Sequence, residues 1–197
     1  MLTFERLKKI YQFGKNLSPT DLHAFIKHTH SQEFGQGEII FPEGSTNDNV
    51  YFINKGLIRI FTFNENGDEI TFRIVAEGQI FANADYLFYN KASRFTFEAL
   101  EDTKVHFISY EDLQAVLDRN IKLEKNRKFA LLSLLKESNE RVESFVLMTP
   151  EERYLSFVKK FPSINNRVKD KHLASVLGIT PVSLSRIRKR ISQKQND

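Results

Sequence analysis

The stretch VKDKHLASVLGITPVSLSRIRKRI, Val168 to Ile191, constrains this chain more than any other. Leu173, Ala174, Leu177, Ile179, Leu184 and Ile187 recur at spacings that lay one apolar stripe on each of two short helices. Gly178 falls where the first helix must stop, since glycine takes the left-handed conformation there at little cost. Ala174 is small where two crossing helices come closest. Thr180 is a good N-cap, and Pro181 fits the first helical position, where its missing N–H is no loss. The pattern predicts helix, tight turn, helix: the unit that sets its second helix into the major groove of DNA. Val182, Ser183, Ser185, Arg186, Arg188 and Lys189 lie off the apolar stripe of that helix. Arginine matches the two acceptors of guanine, serine suits phosphate, and Lys or Arg at the far end neutralises backbone. With Lys169, Lys171 and Thr180 they form the candidate DNA-contacting set. A hairpin that merely packs is the alternative; small residue, glycine, cap and basic face together speak against it.

Charge agrees with this reading. The net charge is +4, and residues 138–197 more than account for it, the preceding residues being slightly acidic. A basic surplus beside the two-helix motif is a nucleic-acid footprint. Cysteine is absent, which removes disulfides and thiolate metal sites and fits a reducing, cytoplasmic setting. No apolar run reaches the ~18 residues of a membrane span, and no secretory leader pattern is present. The chain of 197 residues suits one large or two small domains.

Residues 1–30 read as helical, with Leu2, Phe4, Leu7, Ile10 and Tyr11 on one face and Ser18 capping a second helix that begins at Pro19. His23, His28 and His30 lack the spacing of a helical metal pair, so no metal site is expected. From Glu33 to Tyr110 short β-rich runs alternate with glycine turns: Val50–Ile53, Leu57–Phe61 and Ile70–Ile74, the last two joined at Asn66-Gly67. These strands predict a small roll or barrel. Tyr110 starts a short helix. Ile121 to about Leu147 then reads as one helix of ~27 residues, ~40 Å long. Its seam of Leu132, Leu135, Asn139, Val142 and Val146 is too long for a small domain to cover, so it reads as a dimer helix, splayed where Lys125 and Lys128 enter the seam. Burial of that seam within one chain is the alternative. Thr149, Pro150 and Glu152 form a capping box that opens a new helix to about Phe161. Ile164-Asn165-Asn166-Arg167 reads as a linker. The expected class is α+β: a β-roll over residues 1–118, a long dimerisation helix and hinge over 119–148, and a helix-turn-helix over 149–197.

This layout resembles the Crp–Fnr family of bacterial transcription regulators over nearly the whole chain. Gly37-Glu38, Phe41-Pro42-Glu43-Gly44, Tyr51-Phe52-Ile53, Lys55-Gly56 and Glu77-Gly78 resemble its cyclic-nucleotide-binding-like roll; Leu173-Ala174-Ser175 and Leu177-Gly178-Ile179-Thr180 through Arg186-Ile187 resemble its helix-turn-helix. The resemblance implies that Arg186 matches the base-reading arginine, and that Ser183 and Lys169 match phosphate contacts. Pro181 and Val182 stand where well-known members carry Arg and Glu, so the target sequence should differ. It further implies double-stranded DNA with an inverted-repeat operator, a homodimer, and RNA polymerase as partners.

The ligand positions depart from the pattern. Members that bind cyclic AMP carry Gly-Glu where Ala82-Asn83 stand, in a stretch read here as a loop from Ile80 to Asp85. Their phosphate-binding arginine falls on Ser93, with Arg94 one position off. On a strand one position means the opposite face, so Arg94, Thr96 and Glu98 should point outward. Ser138-Asn139 replace a Thr-Ser pair that reaches the purine. The reading is a homodimeric DNA-binding regulator without cyclic-AMP control and without a cofactor; the alternative is a cyclic-nucleotide-responsive regulator with a rebuilt pocket. The Phe-rich roll either holds another small effector or is packed solid. No P-loop, nucleophile elbow, HExxH or Cys–His pair supports an enzyme.

Overall fold

The computed structural model describes residues 19–118 and 121–194. Its elements are α1 (Pro19–His28), β1 (His30–Phe34), β2 (Ile39–Phe41), β3 (Asn49–Lys55), β4 (Ile58–Phe63), β5 (Glu69–Val75), β6 (Ile80–Ala82), α2 (Ala84–Tyr89), β7 (Thr96–Ala99), β8 (Thr103–Ser109), α3 (Tyr110–Leu117), α4 (Ile121–Leu147), α5 (Pro150–Lys160), α6 (Asp170–Val176) and α7 (Pro181–Lys194). The face expected of Leu2, Phe4, Leu7, Ile10 and Tyr11, the Ser18 cap and the Lys125 side chain lie outside the described residues. The chain forms two compact units. One ends at Ile60 and resumes over Val75–Leu135; the other takes Phe61–Ile74 and the chain from Lys136 onward.

The strands make two four-stranded sheets, ordered β1-β8-β3-β6 and β2-β7-β4-β5. β3 lies antiparallel between β8 and β6, with Tyr51 opposite Phe107 on one side and Phe81 on the other. Alternation along β3 turns Tyr51 and Ile53 inward. They join Phe34, Phe41, Ile58, Ile60, Val75, Phe81, Phe97, Ala99 and Val105 in one core. Its aromatic rings are in direct contact, Phe41 and Phe97 with centroids 3.9 Å apart and Tyr51 and Phe81 4.7 Å apart. Gly56 is where this core permits nothing larger: φ is +103°, and a Cβ there would lie 2.6 Å from Thr103 Cα. The turn at Asn66-Gly67 forms as expected, Asn64 Oδ1 accepting from the Asn66 and Asp68 N–H groups.

Two local expectations fail. The Ile80–Asp85 stretch is not a loop: Ile80–Ala82 pair with β3, and Asn83 then caps α2, its Oδ1 accepting from Tyr86 N. Asparagine is a strong N-cap, a local signal that the sequence carries at position 83. The Ile164–Arg167 stretch is not a passive linker either. Ile164 is 1 % exposed, a core residue on an irregular turn, which periodicity does not reveal.

In the second unit, Leu173, Ala174, Val176, Leu177, Leu184 and Ile187 of the two-helix motif are buried with Tyr154, Ile164 and Val168. The stripes expected from spacing are the core, with Ile179 half-buried. α5 opens on the expected capping box: Thr149 accepts from Glu152 N, and Glu152 accepts from Thr149 N at 2.8 Å. α4 spans the 27 residues expected. Its seam stands open in the single chain: Leu135, Val142 and Val146 are 66 %, 61 % and 73 % exposed.

Candidate functional site

The basic end of the chain is built by α6, a four-residue turn and α7. Gly178 sits in the turn at φ +67°, and a Cβ there would lie 2.6 Å from the Phe145 ring. That ring belongs to the last turns of α4. Beside it, the Arg153 guanidinium lies 4.8 Å from the Phe145 centroid and donates to the carbonyls of Leu177, Ser144 and Met148. One arginine on α5 therefore bonds the Met148 and Leu177 carbonyls just past the ends of α4 and α6, and shares the Ser144 carbonyl with Met148 N. Arg153 and Phe145 were missed by sequence reasoning. Neither residue type signals its role, which arises only when three helix ends meet.

At the start of α7, Thr180 Oγ1 accepts from Ser183 N at 3.1 Å and lies 3.0 Å from Ser183 Oγ. With Leu184 and Ile187 buried, the opposite face presents Val182, Ser185, Arg186 and Lys189, all exposed. Their spacing of three and four residues makes them one stripe. No hydrogen bond or ion pair among the described residues holds Arg186. Lys169 is exposed at the N-cap of α6.

Two of the expected DNA contacts are engaged elsewhere. Arg188 donates to Tyr154 Oη at 3.1 Å, Asp170 Oδ1 at 2.7 Å and Asn165 Oδ1 at 3.2 Å. Burial disfavours its charge, but the bonds to Tyr154 and Asp170 outweigh this and raise its pKa. Arg188 ties α7 to α5 and α6 rather than extending the exposed stripe. A step of four from Leu184 brings it onto the edge of the buried face. Lys171 lies 3.8 Å from Glu69 of β5, and beside it Thr71 N donates to Ser175 Oγ at 2.8 Å. The same hairpin places Phe72 under Arg141 and pairs Arg73 with Glu137 at 2.9 Å. Residues 69–73 of β5, themselves part of the second unit, thus pack against its helices.

In the first unit the candidate ligand positions come together but are already in use. Ala82 ends β6. Asn83 is 1 % exposed, and its Nδ2 donates to Ser45 O at 3.0 Å. Ser93 is 3 % exposed; its Oγ donates to Phe95 O and its N–H to Ser45 O. Residues 93–95 precede β7, so strand alternation does not set their directions, and Thr96 is buried, accepting from Glu43 N, where an outward side chain was expected. The direction of Arg94 has another cause. Its backbone N and its guanidinium bond the buried Asp85 carboxylate of α2 at 2.8–3.1 Å, while the side chain stays 73 % exposed. On α4, Ser138 and Asn139 are exposed, Asn139 donating to Glu143 at 2.6 Å.

His28 Nδ1 lies 2.8 Å from Asp112. Among the described residues there is no group of three or more His, Asp or Glu able to hold a metal, and no helix long and apolar enough to cross a membrane.

Residues 31–120 match the model of the cyclic nucleotide-binding domain. The chain is 24 % identical to the global nitrogen regulator of Nostoc sp., over 83 % of this chain and 79 % of that protein. It is 20 % identical to the cyclic AMP receptor protein of Thermus thermophilus, over 90 % and 84 %. In structure it is similar to FixK2 from Bradyrhizobium japonicum, with a TM-score of 0.72 over 85 % of this chain and 86 % of that one at 16 % identity. The first of these bears the name of a regulator and the second that of a receptor protein.

The Asp85–Arg94 pair generates a pH prediction. The Arg94 hydrogen bonds hold the Asp85 carboxyl below its ordinary value, against the opposing effect of burial. A lowered folded-state pKa gives stability that is present above the ordinary aspartate value, near pH ~4, and lost as pH falls through the lowered one. Urea midpoints should therefore drop on acidification below about pH 4. Asp85→Asn should flatten that part of the profile; an unchanged slope would assign the acid sensitivity to other carboxylates.

Proposed function

We propose that this chain, a member of the Crp–Fnr family of transcription regulators, works as a homodimeric, sequence-specific DNA-binding regulator that does not answer to cyclic AMP. Residues 1–118 serve as the sensor roll, 119–148 as dimer helix and hinge, and 149–197 as the DNA-binding part. One observation carries the DNA reading. α7 buries Leu184 and Ile187 and turns a stripe of Val182, Ser185, Arg186 and Lys189 outward, with no partner for Arg186 among the described residues. A guanidinium left unpaired at that position is available to take guanine O6 and N7 together. Lys169, Lys189 and Ser185 suit phosphate. Arg188 acts within the domain, holding α7 against α5.

The open seam of α4 supports the dimer. Leu132, Leu135, Asn139, Val142 and Val146 follow the steps of three and four that keep one side facing a second helix. A polar Asn139 in such a seam favours a single register.

The first unit supports independence from cyclic AMP. The domain match marks the roll, not its ligand. The Thermus relative bears the name of a cyclic AMP receptor. Here Asn83 caps a helix, Ser93 is buried in backbone hydrogen bonds, and Arg94 is taken by Asp85. Each missing charge-assisted contact weakens binding by ~1.5–3 kcal/mol, and two together place such a site near millimolar or weaker. The contacting rings of Phe41, Tyr51, Phe81 and Phe97 support a roll packed solid rather than one holding another effector.

Arg186→Ala tests the central claim. It should cost ~1–3 kcal/mol per half-site on a selected operator and leave most binding to random DNA; equal loss on both would make Arg186 a phosphate contact. Sedimentation of Leu135→Glu should give monomers with weakened DNA binding, and a wild-type protein monomeric at micromolar concentration with and without DNA would refute the dimer. Titration calorimetry with cyclic AMP should register no micromolar binding. Such binding would restore the rebuilt-pocket reading.

A further inference from the structure

We propose that Val182 reads a C5-methyl group on a pyrimidine in the major groove, about two base steps or less from the guanine taken by Arg186. This rests on the DNA-reading role proposed above and deepens it by naming what the N-terminal end of α7 recognises. Val182 is 60 % exposed, although it belongs to a helix whose Leu184 and Ile187 are buried and whose Ile191 is half-buried. Nothing in the second unit needs it outside. Pro181 beside it is exposed too and has no N–H to offer. The nearest hydroxyls, Thr180 and Ser183, are turned on each other and on the cap. The end of the helix that enters the groove first therefore presents an apolar tip with no adjacent hydrogen-bonding side chain committed to a base.

Such a tip selects by two effects. Against a pyrimidine C5-methyl it gains apolar contact. Against the exocyclic amino group of adenine or unmodified cytosine it removes water and supplies no acceptor, which penalises those bases. Val182 and Arg186 share one face, four residues or ~6 Å apart along the axis, against ~3.4 Å per base step. A methyl and a guanine close together in each half-site are the pattern this stripe fits.

The test uses the full-length protein and duplexes selected from a random library. Each thymine of the half-site is replaced in turn by uracil, which removes only the methyl, and separately by cytosine or 5-methylcytosine. One symmetric thymine position, within about two steps of the guanine that Arg186→Ala reports, should weaken about fourfold per half-site on going to uracil, the effect of one buried methyl group. If 5-methylcytosine regains what cytosine loses there, the methyl alone is read; if only thymine binds, the rest of the thymine edge is read with it. Val182→Ala should bind the thymine and uracil duplexes alike while still preferring the selected site to random DNA. Uracil without effect at every position, or a thymine preference that survives Val182→Ala, overturns the inference and leaves the regulator intact. Selection that yields no preferred sequence removes the DNA-reading function itself, and this inference with it.

Discussion

The approach of Phe145 to Gly178 is the contact on which the two-helix motif depends. A ring from the end of the long helix occupies the space that any side chain at position 178 would need. Arg153 then stacks on the same ring and caps two helix ends at once. Apolar contact, cation–π attraction and carbonyl hydrogen bonds meet within one cluster, each satisfying a need created by the others. The turn of the two-helix motif is thereby fixed against α4 and α5, and the exposed stripe of α7 inherits that orientation.

A second economy is visible in the charges. The chain is rich in arginine and lysine at this end, yet many are paired. Arg188 holds Tyr154, Asn165 and Asp170; Arg190 and Lys194 pair with Glu151; Lys171 faces Glu69. Among the described residues of this part, Lys159, Lys169, Arg186 and Lys189 are exposed with no side-chain partner. Exposed pairs of this kind add little stability, and their effect is to reduce the unpaired positive charge.

In the roll, the same logic ties up the candidate ligand positions. Asn83 and Ser93 satisfy backbone groups around Ser45, and Arg94 is held by a buried carboxylate. Polar groups buried with their partners already in place gain nothing by exchanging them for a ligand.

Much of this was legible in the sequence because it rests on local rules. Helical spacing placed Leu173, Leu177, Leu184 and Ile187 in a core, glycine and proline marked the turn and the start of α7, and Thr149 with Glu152 announced α5. Steps of three and four over Ile121–Leu147 gave the long helix its bounds. Only the tertiary structure decided which polar residues were left over. Arg186 and Arg188 are two positions apart on one helix, and helical spacing puts Arg188 only at the edge of the buried face; what engages it is that Tyr154, Asn165 and Asp170 lie beside it and not beside Arg186. The direction of Arg94 was likewise set by Asp85, nine residues away, and not by strand alternation. Periodicity follows from backbone geometry and can be read along the chain, whereas a partner for a charge is a matter of where distant segments come to rest.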